Sequence, residues 1–535
     1  MRATGDRRQA TGDRRRAIRI AAVVLALWPA AAGARAGDDD EAVRVLSMLD
    51  KWQVGAARPV VQAIVRARPG DPVASYLGGY QAFLDGDYGR AEEQLEQALT
   101  QAKDQAPASW RQLKSIVSAT ADVTRAFGEL DGEHFTVRYP RGNEEILAPW
   151  VLEALEAARG NIGKDLGFFP EEKIRVEIYR EADDLARVST LTKKEIEASG
   201  TIALCKWNRL MITSPAALVR GYGWMDTLAH EYTHFVVTAR SKNTVPIWFH
   251  EGIAKYFERR WRGPAGGSLP AALEHLLKRA VEKGGLVTFD EMHPSMAKLP
   301  TQEKAALAFA EVFTAVEFLE KSAGPGAITA AIDRMATGTD DRRAVGQVFG
   351  APFAEFERQW KKALATRKAI AHEGPLESLR FRKRGKKDDD DEVGKLGDKA
   401  AERHARLGGM LRARGRLPAA LVEYRRALSA APGHPHVAAK LARMELDLGK
   451  PADAIKTVRP ALDAMPEASA PNLTMGEALV ATGELGKARP FFETALRQNP
   501  FDPAVHCGLE RVYGALGDAP RRARTEAACK RLRGG

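Results

Sequence analysis

Cysteine is scarce in this chain of 535 residues, and that scarcity excludes two ways of supporting a fold. Only Cys205, Cys507 and Cys529 are present, so the sequence can form neither a dense disulfide framework nor a paired-cysteine metal site. Export would permit a bridge between Cys507 and Cys529. The favoured interpretation is that both are small buried hydrophobic residues.

The sequence also lacks any apolar run long enough to cross a bilayer as a permanent helix. Residues 20–28 form an apolar run, which follows three arginines and precedes the small-x-small pattern of residues 34–36. This order is typical of a secretory signal peptide over residues 1–36, with an uncleaved anchor as the alternative. We therefore expect an exported protein, periplasmic or extracellular, with no permanent transmembrane segment.

Outside the N-terminus, basic and acidic residues are nearly balanced. The formal net charge is +11, but residues 1–36 hold eight arginines against Asp6 and Asp13 and account for +6 of it. The remaining +5 is unremarkable for a chain of this size, so the composition gives no support to nucleic acid as a partner.

A repeat of 34 residues occupies the last quarter of the chain. Glycines recur at that spacing, and so do the alanines at 420, 454 and 488 and the prolines at 432, 466 and 500; the glycines are Gly415, Gly449, Gly483 and Gly517. A period of 34 with small residues at fixed offsets is the signature of tetratricopeptide helical hairpins. We predict such an array over residues 399–535, serving either as a scaffold or as a partner-binding groove. A weaker version of the pattern predicts a similar helical region over residues 37–128.

Residues 130–370 show a mixed pattern. Alternating apolar residues at 135–139 and 174–178 predict strands, and residues 201–205 and 210–213 predict a strand pair. The later part of this segment has helical periodicity, so strands come first and helices follow, which indicates an α+β domain. Residues 371–398 include a basic and then an acidic run, which predicts a charged linker rather than a calcium site.

The motif H-E-x-x-H stands at residues 230–234 of this domain. Two histidines four positions apart lie above one another on a helix, so His230 and His234 can face one metal ion. Glu231 then lies beside them, close enough to hold a water molecule without binding the metal itself. The alternative interpretation is a solvated or core-facing histidine pair.

A second segment, WFHEGIA at residues 248–254, supplies a further carboxylate. Glu251 is predicted to open a second short helix that folds back towards the first. Two histidines and one glutamate would leave the fourth tetrahedral position of a single Zn²⁺ ion open, which is typical of catalytic rather than structural zinc.

The pairing of H-E-x-x-H with W-x-x-E-G-x-A resembles the gluzincin peptidases, and most closely the peptidase MA-like zinc metallopeptidase domains that are often fused to tetratricopeptide repeats. The resemblance implies a zincin-like fold in which His230, His234 and Glu251 bind zinc and Glu231 is the general base. It also implies a peptide or protein substrate lying along an edge strand, which chain order places at Gly200, Thr201, Ile202, Ala203 and Leu204.

One position departs from this family. Related peptidases often carry a tyrosine in a helix 50–60 residues beyond the third ligand, where its hydroxyl steadies the oxyanion, and this chain has Phe309 there. Phenylalanine donates no hydrogen bond. Either Tyr256 or His250 replaces it, as an oxyanion donor or by supporting a ligand, or turnover is slow. Packing beside the ligand helix is the alternative role for both residues.

Two functions follow. The first is an exported zinc peptidase that hydrolyses peptide bonds with a zinc-activated water, while its repeats recruit a substrate or partner. The second is a non-catalytic repeat scaffold or assembly factor with a degenerate peptidase domain, which Phe309 favours.

Overall fold

The computed structural model describes residues 36–263, 268–368, 379–382, 396 and 398–534. The signal peptide predicted for residues 1–36 and most of the linker predicted for residues 371–398 lie outside these ranges. Among the residues described, no helix combines the length and the apolar character that crossing a membrane requires.

Helices form the N-terminal part of the described chain. They are α1 Ala36–Asp50, α2 Val54–Ala67, α3 Pro72–Asp85, α4 Tyr88–Ala102 and α5 Ala108–Thr124. Asp71 caps α3 by accepting hydrogen bonds from the backbone N–H groups of Val73 and Ala74, and Gly86 ends it in the left-handed conformation. A tetratricopeptide identity for this region remains a prediction.

A five-stranded mixed sheet follows. Its strands are β1 Phe127–Asp131, β2 Phe135–Pro140, β3 Ile174–Tyr179, β4 Ala203–Lys206 and β5 Arg209–Thr213, in the order β1-β2-β3-β5-β4. Strands β2, β3 and β5 are parallel, while β1 and β4 are antiparallel to their neighbours at the two edges. Sequence analysis did not predict β1, which crosses the expected boundary between residues 128 and 130.

The hairpin between β4 and β5 turns at two residues with positive φ, Trp207 at 53° and Asn208 at 57°. Positive φ at both central positions is the turn that matches the twist of two antiparallel strands. The hairpin brings β4 to the sheet edge, where no further strand pairs with its outer side among the described residues.

The two faces of the sheet are covered differently. On one face, alternate residues such as Val176 and Ile178 pack into the main hydrophobic core. On the other, Glu177 is fully buried and accepts hydrogen bonds from the hydroxyls of Tyr88 and Tyr179, beside the buried guanidinium of Arg209. Because Tyr88 belongs to α4, this polar network joins the N-terminal helices to the sheet.

The remainder of the domain is helical, interleaved with or following the strands. Its helices are α6 Ala148–Asp165, α7 Ala182–Arg187, α8 Lys193–Ser199, α9 Trp224–Ser241, α10 Ile247–Phe257, α11 Ala271–Lys283, α12 Gln302–Ala323, α13 Ala327–Ala336, α14 Asp341–Phe349 and α15 Phe353–Thr366. Helix α9 lies against β4, β5 and α6, which places the histidine motif under the edge of the sheet.

Four helical hairpins form the C-terminal part of the described chain. They comprise α16 Lys399–Ala413, α17 Leu417–Ala430, α18 Pro435–Asp447, α19 Pro451–Ala464, α20 Ser469–Ala481, α21 Leu485–Gln498, α22 Pro503–Leu516 and α23 Ala519–Gly534. The four periodic glycines follow the first helix of each hairpin with φ between 71° and 85°. This left-handed conformation explains why glycine recurs there. The periodic alanines Ala420, Ala454 and Ala488 are fully buried between helices.

The repeats pack directly on the preceding domain. The indole N–H of Trp224, the first residue of α9, donates to the carbonyl of Leu496 at 3.0 Å, and the N–H of Tyr222 donates to the carbonyl of Gln498 at 2.9 Å. At Gly221 a Cβ atom would lie 2.0 Å from that same carbonyl oxygen, so a side chain could not fit. One continuous hydrophobic core therefore runs from the sheet into the repeats.

The two cysteines of the last hairpin are joined. Cys507 on α22 and Cys529 on α23 form a disulfide, with their Cα atoms 5.1 Å apart. The favoured expectation of two unpaired thiols was wrong. The hairpin brings the two helices close enough for the bond, which sequence spacing could only permit.

Candidate metal centre

Helix α9 carries the histidine pair on one side. The rings of His230 and His234 meet edge to face, with centroids 4.7 Å apart, as expected for residues four apart on a helix. His234 is 9% exposed and Glu231 6% exposed, so the motif lies in the protein interior rather than on a solvated face. The pair is thus oriented towards a common point.

Glu251 folds back onto this pair. After α9 the chain turns at Lys242 and Asn243, both with positive φ, and Pro246 precedes α10. The Oε2 atom of Glu251 lies 3.2 Å from Nε2 of His230 and 3.2 Å from Nε2 of His234. Helix α10 begins at Ile247, so Glu251 lies on its second turn and does not open the helix, contrary to the expectation from sequence.

The donor atoms suit zinc in type and in spacing. One ligand atom from each of His230, His234 and Glu251 can be chosen so that all lie within 4.8 Å of one another. Tetrahedral zinc with bonds of about 2.0 to 2.2 Å separates its ligand atoms by roughly 3.3 to 3.6 Å, close to the two 3.2 Å distances found here. Two imidazoles and a carboxylate are also ligands that zinc prefers.

The backbone of α10 approaches α12 closely beside Glu251. A Cβ atom at Gly252 would lie 2.7 Å from the carbonyl oxygen of Val312 and 2.7 Å from a methyl group of Val316. The glycine of the E-G pair is therefore required by helix packing, and that packing fixes the position of the carboxylate.

Glu231 is buried beside the pair, and its Oε2 has no hydrogen-bond partner among the described residues. Burial raises the pKa of Glu231, an effect that the His234 and His230 rings oppose and Glu251 reinforces. Burial also raises the pKa of the Cys205 thiol, and the charge of Glu231 adds to this effect. Because Cys205 belongs to β4, this coupling indicates that the edge strand runs close to Glu231.

The far nitrogens of both histidines have partners. Nδ1 of His230 lies 3.7 Å from Glu258, whose carboxylate is held by Lys255 at 2.7 Å. Nδ1 of His234 lies 2.5 Å from Nδ1 of His250, and Nε2 of His250 lies 3.0 Å from Oγ1 of Thr238. Such partners fix the ring orientation and the tautomer of a metal-binding histidine.

The pKa values of the residues around the site differ in direction. Burial, together with the nearby His234, lowers the pKa of His250 to about 3, so His250 is neutral. Burial alone would raise the pKa of Glu251, but the His234 and His230 rings outweigh it and lower the pKa. Burial would lower the pKa of His230, but hydrogen bonds with Glu251 and Glu258 outweigh it and raise the pKa to about 10. Metal binding needs a neutral imidazole, so zinc has to displace a proton from His230.

The structure indicates different positions for His250 and Tyr256, the two residues that sequence analysis offered in place of a tyrosine. His250 contacts the far nitrogen of His234, which is the position of a supporting residue rather than of an oxyanion donor. Tyr256 packs against Phe313, and the charged groups around it are Glu320, Glu317 and Asp165. The structure therefore does not bring Tyr256 to the histidine pair.

Phe309 does lie at the site. Its ring is 6.1 Å from the ring of His230, in an edge-to-face arrangement. The position in α12 that sequence analysis singled out thus faces the histidine pair and carries no hydroxyl.

The predicted substrate strand coincides only in part with β4. Ala203 and Leu204 belong to the strand, and Ile202 extends its pairing by accepting a hydrogen bond from the N–H of Thr213 at 2.8 Å. Gly200 ends α8 in the left-handed conformation, and Thr201 leads from it into the strand. The pairing of backbone groups with β5, rather than the alternation of apolar residues, therefore determines where β4 begins.

Three contacts of the site were missed from sequence. Glu258 lies seven residues after Glu251, and Thr238 lies four after His234, so helical spacing could have indicated both. Tyr222 precedes α9, and its hydroxyl donates to the carbonyl of Thr213 close to Glu231. No local pattern signals that contact.

The family models agree with this geometry. Residues 156–366 match the model of the Peptidase MA superfamily, and residues 411–464 and 445–510 match the tetratricopeptide repeat. The chain therefore contains a Peptidase MA superfamily domain followed by tetratricopeptide repeats.

Two solved structures to which this chain is similar have low TM-scores. A thermophilic tetratricopeptide-repeat protein from Thermus thermophilus is 30% identical over 25% of this chain and 73% of its own, with a TM-score of 0.23. Leukotriene A4 hydrolase from Saccharomyces cerevisiae is 13% identical over 76% of this chain and 67% of its own, with a TM-score of 0.31. No curated protein matches the chain.

Proposed function

We propose that this protein is an exported zinc-dependent peptidase of the gluzincin type. His230, His234 and Glu251 hold one zinc ion, and Glu231 is the general base. The observation that carries the proposal is the position of the Glu251 carboxylate, 3.2 Å from the Nε2 atoms of both histidines. The Peptidase MA superfamily match over residues 156–366 supports it independently.

The bound metal supplies a Lewis acid that polarises the substrate carbonyl and lowers the pKa of water. Glu231 is buried with one carboxylate oxygen free of hydrogen bonds among the described residues, so it can accept a proton from the attacking water. It then transfers that proton to the leaving amine. Glu258 and His250 hold the two histidine rings in position from behind.

The edge strand is the proposed place for the substrate. β4 has an unpaired outer edge within the described chain and lies beside α9, so a peptide can add its backbone as a further strand. Such pairing recognises backbone rather than side chains. Substrates are accordingly peptides or proteins in extended conformation near the scissile bond.

Export is part of the proposal. It is supported by the arginine-led apolar run of residues 14–28 and by the Cys507–Cys529 disulfide. Disulfides persist in oxidising compartments such as the periplasm or the extracellular space. The same proposal includes a signal peptide over residues 1–36. It also includes boundaries between the later segments at residues 128, 370 and 398.

The test combines metal content with cleavage. Purified protein is expected to hold one zinc per chain and to cleave a quenched-fluorescent peptide library. Glu231→Gln should retain the zinc and lose about 10²- to 10⁴-fold in rate, as expected for removal of a general base. His234→Ala should lose the zinc, while His404→Ala, a histidine paired with Glu423 in the repeats, should keep both zinc and rate. Cleavage unchanged in Glu231→Gln would refute the assigned base.

A second function is favoured by one observation, the phenylalanine at the site. Phe309 faces His230 without the hydroxyl that would steady an oxyanion, which fits a degenerate peptidase domain serving a repeat scaffold. A protein with full zinc content and no cleavage of any library member would establish this alternative.

A further inference from the structure

A large cavity lies between the Peptidase MA domain and the repeats. Its volume is about 1120 Å³, slightly above the range of roughly 300 to 1,000 Å³ that small-molecule sites occupy. It does not include His230, His234 or Glu251 in its walls. We call it the inter-domain cavity.

One wall is built by the first helices of successive repeats. Arg412 lies on α16, Ala439 on α18, Ala470 on α20 and Ala504 on α22, and all four face the same space. Stacked helical repeats form an extended concave surface that serves for binding, and the first helices of these four hairpins line one common space. The concave surface of the repeats is therefore turned towards the Peptidase MA domain rather than towards free solvent.

The opposite wall belongs to the surroundings of the metal centre. Thr227 on α9 lies one turn before Glu231, and Glu258, directly after α10, is the residue that contacts Nδ1 of His230. Ile202 enters the wall from the start of the edge strand. The cavity thus adjoins the carboxylate that supports His230 and the strand proposed to pair with substrate.

The charges in the walls are of both signs and are largely paired with each other. Arg443 pairs with Glu477 on the repeat side, and Lys255 pairs with Glu258 at 2.7 Å on the domain side. Between these pairs the wall contains small or apolar residues such as Ala470 and Leu473. Such a surface selects shape and chain conformation rather than the charge of a ligand.

We propose that the inter-domain cavity holds a segment of the substrate polypeptide away from the scissile bond, so that preferred substrates are unfolded chains long enough to occupy the repeats and the metal centre at once. This inference rests on the proposed function and names its substrate class. A cavity that opens between two packed domains admits an extended chain and excludes a folded domain.

The test uses the full chain with one alanine enlarged inside the cavity and a matched alanine enlarged outside. Ala470 is the second residue of α20 and lines the cavity. Ala452 is the second residue of α19, is also exposed, and does not line the cavity. Ala470→Trp and Ala452→Trp are compared for cleavage of casein, which is largely unfolded, and of a six-residue fluorogenic peptide. Ala470→Arg provides a second cavity variant if the tryptophan disturbs folding.

The ratio of casein to hexapeptide cleavage should fall at least tenfold in Ala470→Trp and remain unchanged in Ala452→Trp. Binding of fluorescein-labelled casein, measured by anisotropy in the Glu231→Gln background, should weaken at least tenfold with the cavity variant only. Equal ratios and equal binding for the two variants would overturn the proposal.

The outcomes separate the two proposals. Casein binding that depends on residue 470, in a chain that cleaves nothing, would reject the peptidase and keep the cavity as a polypeptide site. Cleavage that depends on Glu231 but does not change with residue 470 would reject only the proposal for the inter-domain cavity.

Discussion

At the scale of single residues, the candidate metal centre brings together three groups that could hold zinc, but it lacks a hydroxyl that could act as an oxyanion donor on α12. His230, His234 and Glu251 converge, yet Phe309 stands against His230 where a hydroxyl would be useful. Removing one oxyanion donor typically costs about 3 kcal/mol of transition-state stabilisation. Under the proposed function, the identity of residue 309 is therefore expected to set the rate of cleavage.

We predict that Phe309→Tyr raises kcat for a peptide substrate by about 10- to 100-fold, because it adds a donor at the site. Phe318→Tyr is the matched control, since Phe318 lies on the same helix but packs against Phe349 and Phe356. The measurement is steady-state kinetics on the fluorogenic hexapeptide. A rate equal to that of the native chain would mean that residue 309 takes no part in the reaction.

A second residue-scale prediction concerns Glu311, which is fully buried on α12. One carboxylate oxygen accepts from the N–H of Val287 at 2.8 Å, the other has no partner among the described residues, and burial raises the pKa to about 8. The folded pKa lies above the unfolded one, so the folded state binds more protons between about pH 4.5 and 8, and stability falls as pH rises through that window.

Glu311→Gln should therefore change stability little at pH 5 and increase it at pH 8, by up to roughly 4 kcal/mol. The amide oxygen can still accept from Val287. Thermal melting of both proteins at the two pH values is the measurement. A difference in stability that does not vary with pH would contradict the prediction.

At the scale of elements, the site depends on how closely α10 packs against α12. Gly252 leaves no room for a Cβ atom next to Val312, so even a methyl group must push α10 and with it Glu251. A carboxylate displaced by a fraction of an ångström no longer matches the distance that zinc requires.

Gly252→Ala is expected to weaken zinc binding about 10- to 100-fold, a loss comparable to that of a mutated ligand support. Gly160→Ala on α6 is the control, because a Cβ atom there meets no atom within 4 Å. That control should bind zinc normally and be stabilised by about 0.5 to 1 kcal/mol. Competition with a zinc chelator measures the zinc affinity of both variants, and thermal melting measures their stability. Equal affinities would show that α10 adjusts without moving Glu251.

Much of this architecture could be predicted from sequence because its signals are local. The 34-residue period fixed four hairpins, and the i,i+4 histidines followed from helix geometry alone. Strand β1 was missed because Phe127–Asp131 has no clear alternation in burial. Contacts such as Trp224 with Leu496 join residues 272 apart, and no local pattern encodes them.

At the scale of the whole molecule, the repeats form part of the domain they follow. They supply carbonyl acceptors to the start of α9 and share its hydrophobic core, and Arg521 and Arg524 of α23 pair with Glu153 of α6 at 2.7 and 2.6 Å. An array that only recruits a partner would not need these contacts.

We predict that the fragment 37–370, which lacks the repeats but keeps the N-terminal helices and β1, retains less than a tenth of the zinc of the full chain and has no cooperative thermal transition. The physical reason is that its core and the first turn of α9 lose their partners. Metal analysis and calorimetry on both proteins test this. A fragment that melts cooperatively with one bound zinc would show that the repeats are dispensable for the site.

The hydrogen bond between Trp224 and Leu496 also affects when, during synthesis of the chain, α9 can be anchored. A ribosome makes the chain from its N-terminus, so α9 emerges long before the carbonyl that anchors it. Under the proposed function, a nascent or partly exported chain lacks the anchored form of the helix that bears the histidines. The cell that makes this protein is then spared its activity until the last repeats have arrived and folded.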